Sequence, residues 1–87
     1  MRCVIVTPEK TVCDAEADFV AVTLFDGELG IAPNHTPLIG QLGFGELRVH
    51  LAEGVERYYV EGGLVEVAGN VVSILTGRAV PAAEIDE

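Results

Sequence analysis

The sequence predicts an all-β fold, a flattened ten-stranded β-sandwich or barrel, and three observations point there. Runs of Val, Ile, Leu, Thr and Tyr alternate with polar residues at period two, as strands with one buried face do. Turn residues interrupt those runs roughly every 8–12 positions, the spacing of a sandwich or barrel. No stretch up to Thr76 carries the i, i+3, i+4 apolar pattern of a helix.

The elements follow in chain order. Arg2 to Val6 is a strand, and Thr7-Pro8-Glu9-Lys10 is a turn with proline at its favoured second position. Val12 and Cys13 return the chain. Phe19 to Phe25 is a long apolar strand with Val20, Val22 and Leu24 on one face, closed by Asp26-Gly27-Glu28, since Asp-Gly is a strong hairpin signal. In Glu46 to Leu51, Leu47, Val49 and Leu51 point one way and Glu46, Arg48 and His50 the other, into water. Ala52-Glu53-Gly54 turns the chain into a strand over Arg57 to Glu61. Leu64 to Ala68 and Val71 to Leu75 form a hairpin around Gly69-Asn70. Phe19, Phe25 and Phe44 are expected to fill the core.

The tail, Pro81-Ala82-Ala83-Glu84-Ile85-Asp86-Glu87, reads as a helix start: proline in the first turn, good helix formers, and acids where the macrodipole favours them. The expected organisation is therefore a β domain over 1–80 and, over 81–87, a linker or the first turn of a helical segment that does not continue.

Composition narrows the function classes. The chain is 87 residues long and 49% hydrophobic, too apolar for a disordered segment, yet no apolar run approaches the roughly 18–20 residues of a membrane helix. Fourteen Asp and Glu stand against five Lys and Arg, a net charge of −9, which argues against nucleic acid and anionic membranes as partners. The first residues are too short and too β-branched for a secretory signal, so a cytoplasmic protein is expected. Cys3 and Cys13 fit neither CxxC nor zinc spacing and read as reduced thiols in or near the core.

A search for chemistry finds no active site. Carboxylates such as Glu46 and Glu66 alternate with apolar neighbours, the pattern of a solvated face. His35 and His50 have no acidic or cysteine neighbour at ligand spacing. The glycines never form a phosphate-binding loop, and Ser73, the only serine, has no nucleophile elbow. Catalytic, cofactor-binding and metal-binding residues are thus all expected to be absent. Lys10, alone at a hairpin tip, supports a second reading, an acidic carrier domain modified on that lysine like lipoyl or biotinyl domains. Its position near the chain start and its flanks, Glu9 and Thr11, speak against it.

Asp26 to Ile39 is unusual for a loop: two prolines stiffen it, and an acid and a histidine sit among bulky apolar residues. A stiff crossover between sheets and a preformed contact surface both fit, because a stiff loop loses little entropy on binding. This stretch resembles the GE[LI]GI-x-PGHAPL signature of the epsilon subunit of rotary F-type ATP synthases (delta in mitochondria), with Asn34 and Thr36 replacing Gly and Ala. The openings Val6-Thr7-Pro8-Glu9, Gly45-Glu46-Leu47-Arg48-Val49, Tyr59 to Val67 and Asn70 to Leu75 follow in the family's order, so the resemblance covers residues 2–79.

The resemblance implies two five-stranded sheets on a central stalk, and a non-catalytic rotor subunit coupling ring rotation to the alpha/beta head of a proton- or sodium-translocating ATP synthase. It implies contacts with the gamma subunit and with the polar loops of the membrane rotor ring, no cofactor, and a peripheral place at the cytoplasmic face of the plasma membrane. Glu28 and Gly30 are the expected ring-facing residues, and His35, Pro37 and Leu38 the gamma-facing ones. Cys13 stands where the family usually has an aromatic, which implies lighter packing under the first hairpin. The family's carboxy-terminal helical hairpin is expected to be absent from these 87 residues.

Overall fold

The structure is a computed structural model that describes residues 1–82. Eight strands follow one another: β1 Arg2–Val6, β2 Thr11–Glu16, β3 Phe19–Leu24, β4 Gly27–Ile31, β5 Leu38–Leu51, β6 Gly54–Ala68, β7 Val71–Leu75 and β8 Ala79–Pro81. They hydrogen-bond in the order β2-β1-β7-β6-β5-β3-β4, with β8 on β6. All pairings are antiparallel except β1 with β7, which joins the two ends of the chain in parallel, Arg2↔Val71 through Val6↔Leu75.

One ladder becomes two layers because the long strands β5 and β6 change phase together. In β6 the buried residues are Tyr58 and Val60, then Val65 and Val67. In β5 the inward residues are Leu38, Gly40 and Leu42, then Leu47 and Val49. A slip of one residue turns every later side chain to the opposite face. The two slips face each other, where the ladder lapses between Leu42↔Gly63 and Phe44↔Glu61. Each long strand thus serves both layers: β2, β1 and β7 with the near halves of β6 and β5, and β8, β3 and β4 with the far halves. Counted in this way, eight strands make the two five-stranded sheets expected.

Glycine permits the slip. Gly62 and Gly63 have φ of +75° and +115°, and a Cβ on Gly63 would lie 2.1 Å from the Leu75 carbonyl oxygen. The Thr76 hydroxyl, buried beside them, donates to the Gly62 carbonyl at 2.7 Å, and the Thr76 N–H donates to Val6 at 3.1 Å. Between the layers lies one core, with Cys3, Ile5, Val20, Ile31, Leu47, Val49, Val65, Val72 and Ile74 essentially without solvent contact. Each such aliphatic side chain contributes roughly 1.5–3 kcal/mol of transfer free energy.

Several expectations change. Phe25 and Phe44 are exposed, not core, and Phe19 is only half-buried. The hairpin tip is Phe25-Asp26, one residue earlier than Asp26-Gly27, because Leu24 pairs with Gly27. The stiff segment is half strand: β4 takes Gly27–Ile31, and only residues 32–37 cross between layers. Arg57–Glu61 and Leu64–Ala68 are one strand bent at the glycines. Pro81 closes β8 opposite Tyr58, and the rest of the expected helix start, residues 83–87, lies outside the described residues.

Candidate functional site

The surface features of interest lie along the β3–β4 hairpin, the crossover after it, and the start of β5. At the tip, the Phe25 N–H donates to the Gln41 carbonyl at 2.8 Å, holding the hairpin against β5. Beyond the tip, alternation sends Leu29 and Ile31 inward and Glu28 and Gly30 outward, opposite Thr23 and Ala21. Glu28 is therefore a strand residue with an exposed carboxylate and not a turn-tip residue. Gly30 has a packing reason: a Cβ there would lie 2.6 Å from Cζ of Phe19, whose ring covers the glycine. Phe19 also meets His50 edge-on, ring centroids 5.4 Å apart.

Residues 32–37 are held by bonds at Asn34 and His35. Asn34 adopts φ +64°, a left-handed conformation that asparagine and glycine tolerate, which accounts for asparagine in a glycine place. Its N–H donates to Oδ1 of Asn70 at 2.8 Å, while the Asn70 carbonyl accepts from Arg2 at 3.1 Å. Asn70 thus ties the crossover to the β6–β7 turn through its side chain and the turn to β1 through its backbone carbonyl. The His35 N–H donates to Ala32 at 3.2 Å, and its Nδ1 lies 2.7 Å from the Thr36 carbonyl.

His35 is half-buried, Pro37 is exposed, and Leu38 packs against the core. Its neighbour Ile39 is 72% exposed. On the same outer face Leu64 and Leu75 sit directly across from one another, with Val6 beside Leu75. Glu28 and His35 are not brought together, since β4 runs between them. A weak sign of the exposed aromatics is present in the sequence: Phe44 stands between glycines and Phe25 directly before Asp-Gly, outside any alternating run.

Electrostatics is dispersed. Arg2 bonds Asp14 through two nitrogens at 2.9 and 2.8 Å, which holds the carboxyl below the usual range and the guanidinium above its own. Burial pushes the Cys3 thiol up to about 12 and raises that of Cys13. The Tyr58 hydroxyl, raised by burial and then by Glu56, donates to Glu56 at 2.9 Å and lies against Cys13. It occupies the space under the first hairpin. Among the described residues no three His, Cys, Asp or Glu side chains group at metal-ligand distance, and no helix is long and apolar enough to cross a membrane. Lys10 is exposed in the β1–β2 turn.

The model of the ATP synthase delta/epsilon chain β-sandwich domain matches residues 1–82. The chain belongs to that family. An ATP synthase epsilon chain from Rhodopirellula baltica is 54% identical over 86 residues, covering 99% of this chain and 67% of that one. A sodium-ion-specific ATP synthase epsilon chain from Propionigenium modestum is 35% identical, covering 94% and 60%. Among solved structures, a chain of the Euglena gracilis mitochondrial ATP synthase, in its OSCP/F1/c-ring assembly, superposes with a TM-score of 0.89 at 29% identity, covering 97% of this chain and 54% of that one. The chain thus spans about three-fifths to two-thirds of these epsilon chains' length. Membership accounts for the ordered motifs and displaces the carrier-domain reading of Lys10.

Proposed function

We propose that the chain is the β-sandwich part of the non-catalytic central-stalk subunit of a rotary ATP synthase, driven by protons or sodium ions. It couples rotation of the membrane ring to the alpha/beta head through contacts with gamma and with the ring's polar loops. The observation that carries this reading is the match over nearly the whole chain to ATP synthase epsilon chains. A part that transmits torque needs stiffness, and two features supply it: a single core shared by both layers and a crossover fastened through Asn70. Such a subunit needs no active site and no cofactor of its own, and it sits peripherally at the membrane as part of the complex.

The outer face carrying Ile39, Leu64, Leu75 and Val6 suits a gamma contact, because it exposes apolar side chains beside Gln41 and Glu66 on regular strands that need not move. His35 and Pro37, in the crossover that leads into β5, extend the proposed contact, and Leu38 packs on the core beneath it. Glu28, outward on β4, suits the ring, while Gly30 acts through the close packing of Phe19. Co-expression with a gamma subunit followed by co-purification tests the assignment. Retention of the chain on tagged gamma supports it, and separation of the two at low salt overturns it.

A further inference from the structure

One row of side chains, on the outer face of the layer built from β8, β6, β5, β3 and β4, has no part in the contacts assigned above. Arg57 on β6 lies directly across from Arg48 on β5, Arg48 across from Ala21 on β3, and Ala21 across from Gly30 on β4. Directly opposite residues of an antiparallel ladder hold their Cβ atoms roughly 4.5–5.5 Å apart, so the two guanidiniums share one patch of surface, and like charges so placed repel. The chain has fourteen carboxylates with which to relieve that repulsion. Arg2, Arg48 and Arg78 approach carboxylates at 2.8, 3.9 and 3.8 Å, yet Arg57, which is exposed, has none among the described residues. The neighbour of Arg48 is Glu46, at a separation too long for a hydrogen bond. In the adjoining rows of β5 and β6, Tyr59 with Glu46 and Val55 with His50, Glu46 is the one carboxylate. The patch is therefore positive on a chain of net charge −9.

The pair selects its occupant. A carboxylate offers two oxygens, which one guanidinium fork engages in full, and the second arginine would stay unpaired. A phosphate monoester carries a charge of about −1.5 to −2 at neutral pH and three acceptor oxygens, enough for both forks at once. Past Arg48 the row falls to Ala21, and the Phe19 ring, which covers Gly30, bounds it beyond. The organic part of a small ester has room over the alanine. We propose that Arg48 and Arg57 form a binding site for the phosphoryl group of a soluble phosphate monoester or of inorganic phosphate, held between the two guanidiniums. A phospholipid headgroup presents the same chemistry, but an anionic bilayer repels a chain of net charge −9. Binding is weak, in the millimolar range, because the site lies on open surface and Glu46 offsets part of its charge.

The test is a ¹⁵N NMR titration of the full chain with inorganic phosphate, with glycerol phosphate and with acetate, near neutral pH and at constant ionic strength. The Nε–H signals of Arg48 and Arg57 should move together and saturate with either phosphate, those of Arg2 and Arg78 should stay, and acetate should give no saturable shift. Arg48→Gln and Arg57→Gln, both at positions that solvent reaches, should each weaken phosphate binding roughly three- to fivefold, the upper range for one exposed ion pair. Arg57→Lys should fall between, since it keeps the charge and loses the fork. Without phosphate, Arg57→Gln should hold or raise the urea midpoint, because it removes a repulsion. At saturating phosphate the unaltered chain should gain more than that variant does. Vesicles containing phosphatidic acid should not sediment the chain. Acetate matching phosphate, saturation centred on Arg2 or Arg78, or undiminished binding by both Gln variants overturns the site. Sedimentation with the vesicles that Arg57→Gln abolishes overturns the soluble source. No arm uses gamma or the ring, so the outcome is independent of the stalk reading.

Discussion

Gly63 shows how a single residue decides this architecture. Its φ of +115° and the 2.1 Å separation of a Cβ from the Leu75 oxygen leave alanine no place without moving backbone. Gly63→Ala should cost about 3 kcal/mol or more, read as a lower urea midpoint, because it combines backbone strain with overpacking. Gly77→Ala is the contrast: nothing lies within 4 Å of a Cβ there, so the midpoint should hold or rise slightly. The buried thiols give a pH-dependent counterpart. Cys3 holds its proton up to about 12 in the folded chain against 9.0 ordinarily, chiefly because burial disfavours the thiolate. Stability from this group is therefore complete below the ordinary thiol pKa and declines as pH rises from there toward the folded value. Cys3→Ala should flatten that alkaline decline, measured as urea midpoint against pH. In the native chain, iodoacetamide should label Cys3 only as fast as the chain opens.

At the scale of the element, the start of β5 separates support from contact. Leu38 faces the core and Ile39 faces solvent, one position apart on the same strand. Ile39→Glu should leave thermal stability within about 0.5 kcal/mol of the original yet weaken gamma retention. Leu38→Ala should lower stability by about 2 kcal/mol, at the low end for a leucine only partly buried. If Ile39→Glu unfolds the chain, or leaves gamma retention untouched, the outer face of β5 is not the contact. Strand β4 carries the other charge test. Glu28 is exposed and outward, and an exposed ion pair is worth only about 0.2–1 kcal/mol, so one substitution should loosen ring attachment without abolishing assembly. Glu28→Lys should cost more than Glu28→Gln through added repulsion, and the gap should narrow with salt. Equal ring binding by both at low salt would remove Glu28 from the interface.

The whole molecule is joined by pairings between distant residues. β1 pairs in parallel with β7, so residues 2–6 cannot complete a layer until residues 71–75 are in place. Closing such a loop precedes any gain from the contacts it makes, and folding should take milliseconds to seconds. The same pairing, with one core spanning both layers, should make unfolding cooperative: circular dichroism and tyrosine fluorescence should trace a single urea transition. Two separated transitions would show that the layers fold independently.

Most of the fold was legible in the residues. Alternation at Cys3 and Ile5, Val20 and Val22, Leu47 and Val49, Val65 and Val67, and Val72 and Ile74 marks the buried face of each strand, and each of these residues is buried. The family's ordered motifs named the architecture and the family, and the matching of residues 1–82 agrees with them. Less of the candidate site could be read. Sequence placed Glu28 at a turn tip and Phe25 and Phe44 in the core, and each lies otherwise, while Leu38, expected to face gamma, is partly buried against the core. The cause is common to all of them. Alternation fixes which residues share a face, but only within one phase, and it says nothing of which face meets the other layer. That phase is set by pairing register and by the paired slip at Gly43 and Gly62–Gly63, which depend on residues some twenty positions apart meeting across a ladder. Local pattern therefore determined the strands, their turns and the family; the packing of β5 on β6 decided which side chains the molecule keeps for itself and which it offers to a partner.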